Sequence, residues 1–274
     1  MDYFCVTLID VGWGDSILLE YGKGGNRSYA LIDSNDTEKN RSAFIYLKKH
    51  FERYEYPYSG KRPLFSFVLL SHAHSDHGQG LKAIMREFGT ESFWYPKSLQ
   101  WAGLSTLIRF ANRSSSVKHH QSIDNTKIVP PFGDVAIDIL WPRHDEMDRN
   151  NENNNSVVML CTFRNHRILL SGDAEGEVWD QIADLLPDDI RVVKVPHHGS
   201  ENGTFWQGNR TPWLDRVNAN TLLGISSHVR PFQHPDKKVV DAFHQRGFEY
   251  FRTDENYHVS FLMSDGGVEV KYSH

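Results

Sequence analysis

The amino-acid sequence predicts an α/β protein arranged as a four-layer αββα sandwich, on three observations. Residues 3 to 33 hold three strand-like runs broken at Gly12, Gly14, Gly22, Gly24 and Gly25. Strand patterns recur at 134 to 141, 156 to 163 and 167 to 171, and the last third of the chain alternates strand with helix. Two sheets with helices outside satisfy this order, and with no internal repeat or linker the whole chain, 1–274, reads as a single domain.

The elements follow in turn. Tyr3-Phe4-Cys5-Val6-Thr7-Leu8-Ile9-Asp10 is a first strand. A helix near 38 to 53 sets Phe44, Leu47 and Phe51 on one face. The apolar run Phe65 to Leu70 is a buried strand, and Leu81, Ile84, Met85 and Phe88 give the next helix. A short strand near Ser92 to Tyr95 and a helix-like stretch around Trp101 to Asn112 come next. After the three strands between 134 and 171, Val178, Ile182 and Leu185 share a helical face. The remainder is expected as strand 190 to 195, helix 211 to 217, strand 220 to 226, helix 236 to 246 and strand 248 to 252, closed by a hairpin through Ser264-Asp265-Gly266-Gly267.

At 274 residues with 39% hydrophobic content, the chain can bury a full core. No apolar run approaches the roughly 20 residues of a spanning helix, and no basic-apolar leader is expected, since a strand pattern starts at Tyr3. Cys5 and Cys161 lie in β-like apolar segments and read as buried thiols, so a cytoplasmic protein is expected. A net charge of −5 does not describe a free-standing nucleic-acid binder.

The chemistry is concentrated in Ser71-His72-Ala73-His74-Ser75-Asp76-His77-Gly78, which places three imidazoles and a carboxylate in a turn between strand and helix. Imidazole and carboxylate suit Zn(II), Mn(II) or Fe(II), and α/β folds keep their sites at the carboxyl ends of strands. His72 and His74 can hold one metal while Asp76 and His77, displaced along the turn, hold a second. Two cations would add about four positive charges to the cleft, so the global charge understates its attraction for a phosphodiester.

The His-X-His-X-Asp-His pattern resembles the signature of the metallo-β-lactamase superfamily. Later segments look like that fold's later motifs. Leu169-Leu170-Ser171-Gly172-Asp173-Ala174-Glu175 ends a strand in a carboxylate, and the resemblance makes Asp173 the ligand that bridges two metals; taken alone it could be a helix cap. In Val193-Lys194-Val195-Pro196-His197-His198-Gly199-Ser200 the resemblance makes His198 a metal ligand, with His197 beside it able to meet metal, phosphate or leaving group. Lys194 is expected to face solvent.

The order of Asp10-Val11-Gly12-Trp13-Gly14-Asp15-Ser16, Ala30-Leu31-Ile32-Asp33, Asn155-Ser156-Val157-Val158-Met159-Leu160, Gln233-His234-Pro235 and Arg252-Thr253-Asp254 around these motifs resembles the hydrolase domain of ComEC-type DNA-uptake proteins. The likeness runs from about residue 5 to about residue 265, without the membrane channel of those proteins. Two departures stand out. Trp13 replaces a common Gln, and the middle histidine motif that would complete the first metal has no counterpart. His144 and Asn153 to Asn155 are candidates in that region, which leaves the position to water, His197 or substrate and makes the first metal the weaker one.

The resemblance therefore implies a binuclear metal-dependent hydrolase carrying two divalent ions, Zn or Mn, and acting as a phosphodiesterase on DNA. Asp76, His197 and His234 are the expected catalytic groups, the two histidines as partners of the leaving oxygen. Asp15 and Asp33 would orient ligand imidazoles from behind, or serve as turn carboxylates. Arg109, Arg113 and Lys118 form, with His119 and His120, a basic segment read either as a solvated helix face or as a phosphate contact. The polar stretch Asp145 to Asn155 is expected at the cleft edge or simply in solvent. The alternatives are hydrolysis of a small phosphodiester or nucleotide, or a catalytically weak metal-bearing module that binds a partner or senses a ligand.

Overall fold

The computed structural model describes residues 2–98, 101–130, 132–228 and 230–273. The chain opens with three antiparallel strands, β1 (Tyr3–Leu8), β2 (Ile17–Lys23) and β3 (Asn26–Ile32), and helix α1 (Ser42–Tyr54). Next come β4 (Phe65–Leu69), the single turn α2 (Ser75–Gly78), α3 (Leu81–Phe88), β5 (Thr90–Tyr95), α4 (Ala102–Arg113) and β6 (Val117–Ser122). The second half runs β7 (Ala136–Trp141), β8 (Val158–Phe163), β9 (His166–Leu170), α5 (Gly176–Ile182), β10 (Ile190–Lys194), α6 (Glu201–Thr204), β11 (Leu222–Ile225), α7 (Lys237–Gln245), β12 (Glu249–Arg252) and α8 (Thr253–Asn256). The hairpin β13 (His258–Ser264) and β14 (Gly267–Ser273) then returns to the first sheet.

The strand order is β14-β13-β1-β2-β3-β4-β5-β6 in one sheet and β12-β11-β10-β9-β8-β7 in the other. Side chains alternate between two faces along each strand, so each sheet feeds two cores. Phe4, Val6, Leu19, Ile32, Phe67 and Leu69 meet Met159, Cys161, Ile168 and Val192 between the sheets. The opposite faces pack outward. Leu18, Leu31 and Val68 lie under Leu47, Phe51, Ile84 and Phe88 of α1 and α3, while Leu160, Leu169 and Val193 lie under Val178, Trp179, Val239 and Phe243 of α5 and α7. These three cores define the four layers αββα that the strand and helix order predicts.

Two segments differ from expectation. The helix expected at 211 to 217 is only the 3₁₀ turn Leu214–Arg216, with Trp213 and Leu214 buried beside it. Residues 117 to 122, read as part of a basic helical or loop segment, form the edge strand β6, in which Val117 alone is buried. Both cysteines are free thiols, and burial pushes the Cys5 thiol up to about 12. Among the described residues no helix is long and apolar enough to cross a membrane.

Candidate metal centre

The centre lies where the carboxyl ends of β3, β4, β9 and β10 meet between the sheets. Beyond β4, Ser71 is tied to Asp33 at the end of β3: its N–H and its hydroxyl donate to the two carboxylate oxygens at 2.7 and 2.5 Å. With its hydroxyl hydrogen directed to Asp33, the Ser71 oxygen accepts from His72 Nδ1 at 3.1 Å, which leaves the His72 Nε2 lone pair outward. The Glu152 carboxylate accepts from the Ala73 N–H at 3.0 Å and from the Ser98 hydroxyl at 2.7 Å, bracing the turn from the other sheet. Gly14 passes so close that a Cβ there would lie 2.3 Å from the Asp76 carbonyl oxygen.

Four imidazoles converge on one carboxylate oxygen. His77 Nε2 and His198 Nε2 each stand 3.3 Å from Asp173 Oδ2, with His72 Nε2 at 3.9 Å and His197 Nε2 at 4.0 Å. The far nitrogens are anchored: His77 Nδ1 is 2.8 Å from Asp33, and His198 Nδ1 donates to the Ser226 carbonyl at 2.9 Å. His74 Nδ1 lies 3.0 Å from His72 Nε2, and partly exposed Asp76 lies 3.9 Å from His77 Nε2. His77 and His198 reach the centre with Nε2 buried and without a hydrogen-bond partner, as does Asp173 Oδ1. Such orphaned atoms in one cluster call for an ion. Donors within 4.8 Å of one another form the groups His72–His77–Asp173, Asp76–His77–His198 and Asp15–Asp173–His198, a nitrogen and oxygen set that fits a borderline divalent cation.

Charge in the cluster is divided among its members. Burial by itself raises the Asp173 carboxyl, but His198, His77, His197 and Lys194 outweigh it and hold it well below the usual range. Burial lowers His77, yet Asp173 and Asp33 keep it well above an ordinary histidine. Burial and the neighbouring His77 push His72 well down, toward the neutral form a metal ligand needs.

Lys194 corrects the sequence reading. It is 1% exposed, with Nζ 2.5 Å from Asp15 Oδ2 and 3.6 Å from Asp173 Oδ1, and it donates to the Gly172 carbonyl at 3.0 Å. Burial opposes its charge, but Asp15 and Asp173 raise its pKa above the usual value. Asp15 also lies 3.9 Å from His77 Nδ1 and 3.7 Å from His198 Nδ1, behind both rings. The alternation of β10 carries the signal: Val192 faces the inter-sheet core and Val193 the outer one, so Lys194 returns to the inner face.

Glu175 is the other group missing from the sequence reading. It lies 3.2 Å from His197 Nδ1 and accepts from the side-chain amides of Asn151 and Asn153, each at 2.8 Å. The polar stretch is thus a scaffold, with Glu152, Asn154 and Asn155 buried. It supplies no third imidazole. His144 is turned to Asp124 at 3.1 Å, and Asn155 is taken up by Asp148 and Glu152. His234 stands at the rim, its ring centroid 6.0 Å from that of His197; burial and the nearby His197 and His198 lower its pKa despite Asp236.

The basic segment does not reach the centre. Val117 pairs with Thr90, and Thr90 with Phe65, so Lys118 and Arg113 lie at the start of β4, whereas His72 follows its end. Seven residues of extended chain put them about 20 Å away. Arg109 is exposed on α4, donating to Thr106.

A fold of two sheets between helices, with this histidine and aspartate turn at the strand ends, defines a metal-dependent hydrolase. Residues 65–205 match the model of the metallo-beta-lactamase superfamily, and the chain belongs to it. Among curated relatives it is similar to ComE operon protein 3 of Bacillus subtilis, 24% identical over 92% of this chain and 32% of that protein. It is also similar to competence protein ComA of Neisseria gonorrhoeae, 21% identical over 97% of this chain and 33% of that one. The chain thus spans about a third of the length of these relatives. The metallo-beta-lactamase fold protein YhfI of Bacillus subtilis shares the fold with a TM-score of 0.54 at 12% identity, over 94% of this chain and 99% of that one.

Proposed function

We propose that this protein is a phosphodiesterase that takes two divalent cations, zinc or manganese, and cleaves DNA. The observation that carries the hydrolase is the convergence of His72, His77, His197 and His198, drawn from both sheets, on Asp173. The choice of DNA is supported by relatives named for competence.

His72, His74 and Asp173 would hold one ion and Asp76, His77, Asp173 and His198 the other, and the pair would supply hydroxide at neutral pH and offset charge on the phosphoryl group. The protein's own groups do the rest. Asp33 and the Ser226 carbonyl fix His77 and His198 in the tautomer that presents Nε2. Lys194 balances Asp15 and Asp173 beneath them. His197, its Nδ1 held by Glu175, turns Nε2 inward and can give the leaving oxygen its proton. His234, farther out, guides the substrate.

The missing third imidazole beside His72 and His74 favours a second reading, a metal-bearing module with little turnover. Metal analysis together with single-stranded DNA, double-stranded DNA, RNA and a chromogenic phosphodiester under Mn(II) and Zn(II) separates the two. The proposal expects metal-dependent cleavage that chelator and salt suppress, and loss of one metal equivalent and essentially all cleavage in folded Asp76→Ala. Full turnover in that variant overturns the two-ion scheme, and no cleavage of any diester favours the module.

A further inference from the structure

The loop between β1 and β2 carries Trp13 to the mouth of the metal centre, where the Trp13 carbonyl accepts from the Asn35 amide. The indole lies 4.8 Å, centroid to centroid, from His198 and 4.5 Å from Phe232. It stacks at 28° on His234 at 5.7 Å, and Phe232 stacks at 22° on the same imidazole at 6.4 Å. Phe232 is 58% exposed, so its ring fills no core. Phe232 and His234 also line a cavity of about 1180 Å³ whose wall mixes Lys237, Lys238 and Arg246 with Glu201, Asp236 and Asp241, the three cations being paired to Asp241, Glu201 and Asp215. Exposed Arg230 stands two residues ahead of Phe232.

We propose that Trp13, Phe232 and His234 form a stacking shelf for an unpaired nucleobase adjoining the phosphodiester at the metal centre. Aromatic faces touching a ligand histidine, with the exposed Arg230 beside them, supply what an unpaired base demands, a flat surface on which to stack next to the scissile backbone. A base inside a duplex is stacked on its neighbours and presents no free face, so the shelf selects single-stranded or frayed ends. The position of the phosphate rests on the phosphodiesterase reading; the shelf itself rests on the rings.

Fluorescence anisotropy on the full chain, with chelator present, compares an oligothymidylate with an abasic strand of equal length and with the oligothymidylate in duplex. Wild type should favour the base-bearing single strand by about tenfold over either competitor. Trp13→Ala and Phe232→Ala should bring that preference toward one, and Trp13→Phe should keep most of it. Because Phe232 is exposed, its variant keeps the test intact should Trp13→Ala fail to fold. Equal preference in wild type and Phe232→Ala, or none in wild type, overturns the shelf. Cleavage with metal is scored separately: base preference without cleavage of any diester retains the shelf and ends the nuclease reading, whereas cleavage without base preference ends the shelf alone.

Discussion

Behind His77 stands the Asp33 carboxylate at 2.8 Å and behind His198 the Ser226 carbonyl at 2.9 Å; behind His72 stands the Ser71 hydroxyl at 3.1 Å, a weaker anchor, and His74 is partly exposed beside the His72 ring. The two sides of the centre therefore differ in how firmly their rings are held. A ligand whose far nitrogen is fixed by a carboxylate or carbonyl loses less freedom on binding metal and is more basic. On the two-ion proposal, the side built from His77 and His198 would be ready for a cation, and the side built from His72 and His74 would be finished by whatever else enters the cleft.

The hardest test of this asymmetry is Asp173→Asn, since Asp173 faces both sides. Titration with Zn(II) or Mn(II) should show both affinities weakened and activity reduced by orders of magnitude. Two normal metal equivalents would remove Asp173 from the ligand set and break the comparison.

Lys194→Met probes the charge beneath the braced side. Removing the cation leaves Asp15 buried without its partner, a loss of about 3–5 kcal/mol in the metal-free protein by urea unfolding at neutral pH. The pH dependence has a definite sign. Burial raises the Asp15 carboxyl, but Lys194, His198 and His77 lower it below its unfolded value. The contribution of the pair is therefore full above about pH 4 and lost as pH falls through the depressed folded value. The gap between wild type and Lys194→Met should narrow on acidification; a gap independent of pH would assign the loss to packing.

A smaller change sharpens the comparison. Asp33→Asn keeps the shape behind His77 but removes the charge, and should weaken metal binding by about 10–100-fold, measured by competition with a chelating dye. An unchanged affinity would mean that the Asp33 carboxylate serves only Ser71 and the turn.

Much of this architecture can be read from periodicity. Unbroken runs of buried residues on β2 to β4 and β8 to β10 follow from the covering of both faces of those strands, and such apolar runs are easily recognised. β6 has one buried residue and no such run, so an edge strand of Lys, His and Gln reads as loop. His72, His74, Asp76 and His77 are neighbours in sequence and one turn gathers them. Asp173 and His198 join them only through sheet order, which resemblance supplied and local pattern could not. The inward direction of Lys194 is legible in the alternation of its own strand, against the expectation that it faces solvent. Glu175 was not legible, because its role depends on Asn151 and Asn153 arriving from another loop.

His197 and His198 both adopt left-handed backbone conformations, with φ of 47° and 55°, and Gly199 follows at 81°. Neighbouring side chains on ordinary backbone diverge, yet these two rings reach one carboxylate oxygen from adjacent positions. Each such residue costs on the order of 1 kcal/mol, which the surrounding fold must absorb. Selection for stability alone would favour glycine or asparagine here. Drift toward a sturdier protein and retention of the chemistry pull in opposite directions at this turn, and its two histidines would be among the first lost in a descendant that kept the fold as a scaffold and gave up catalysis.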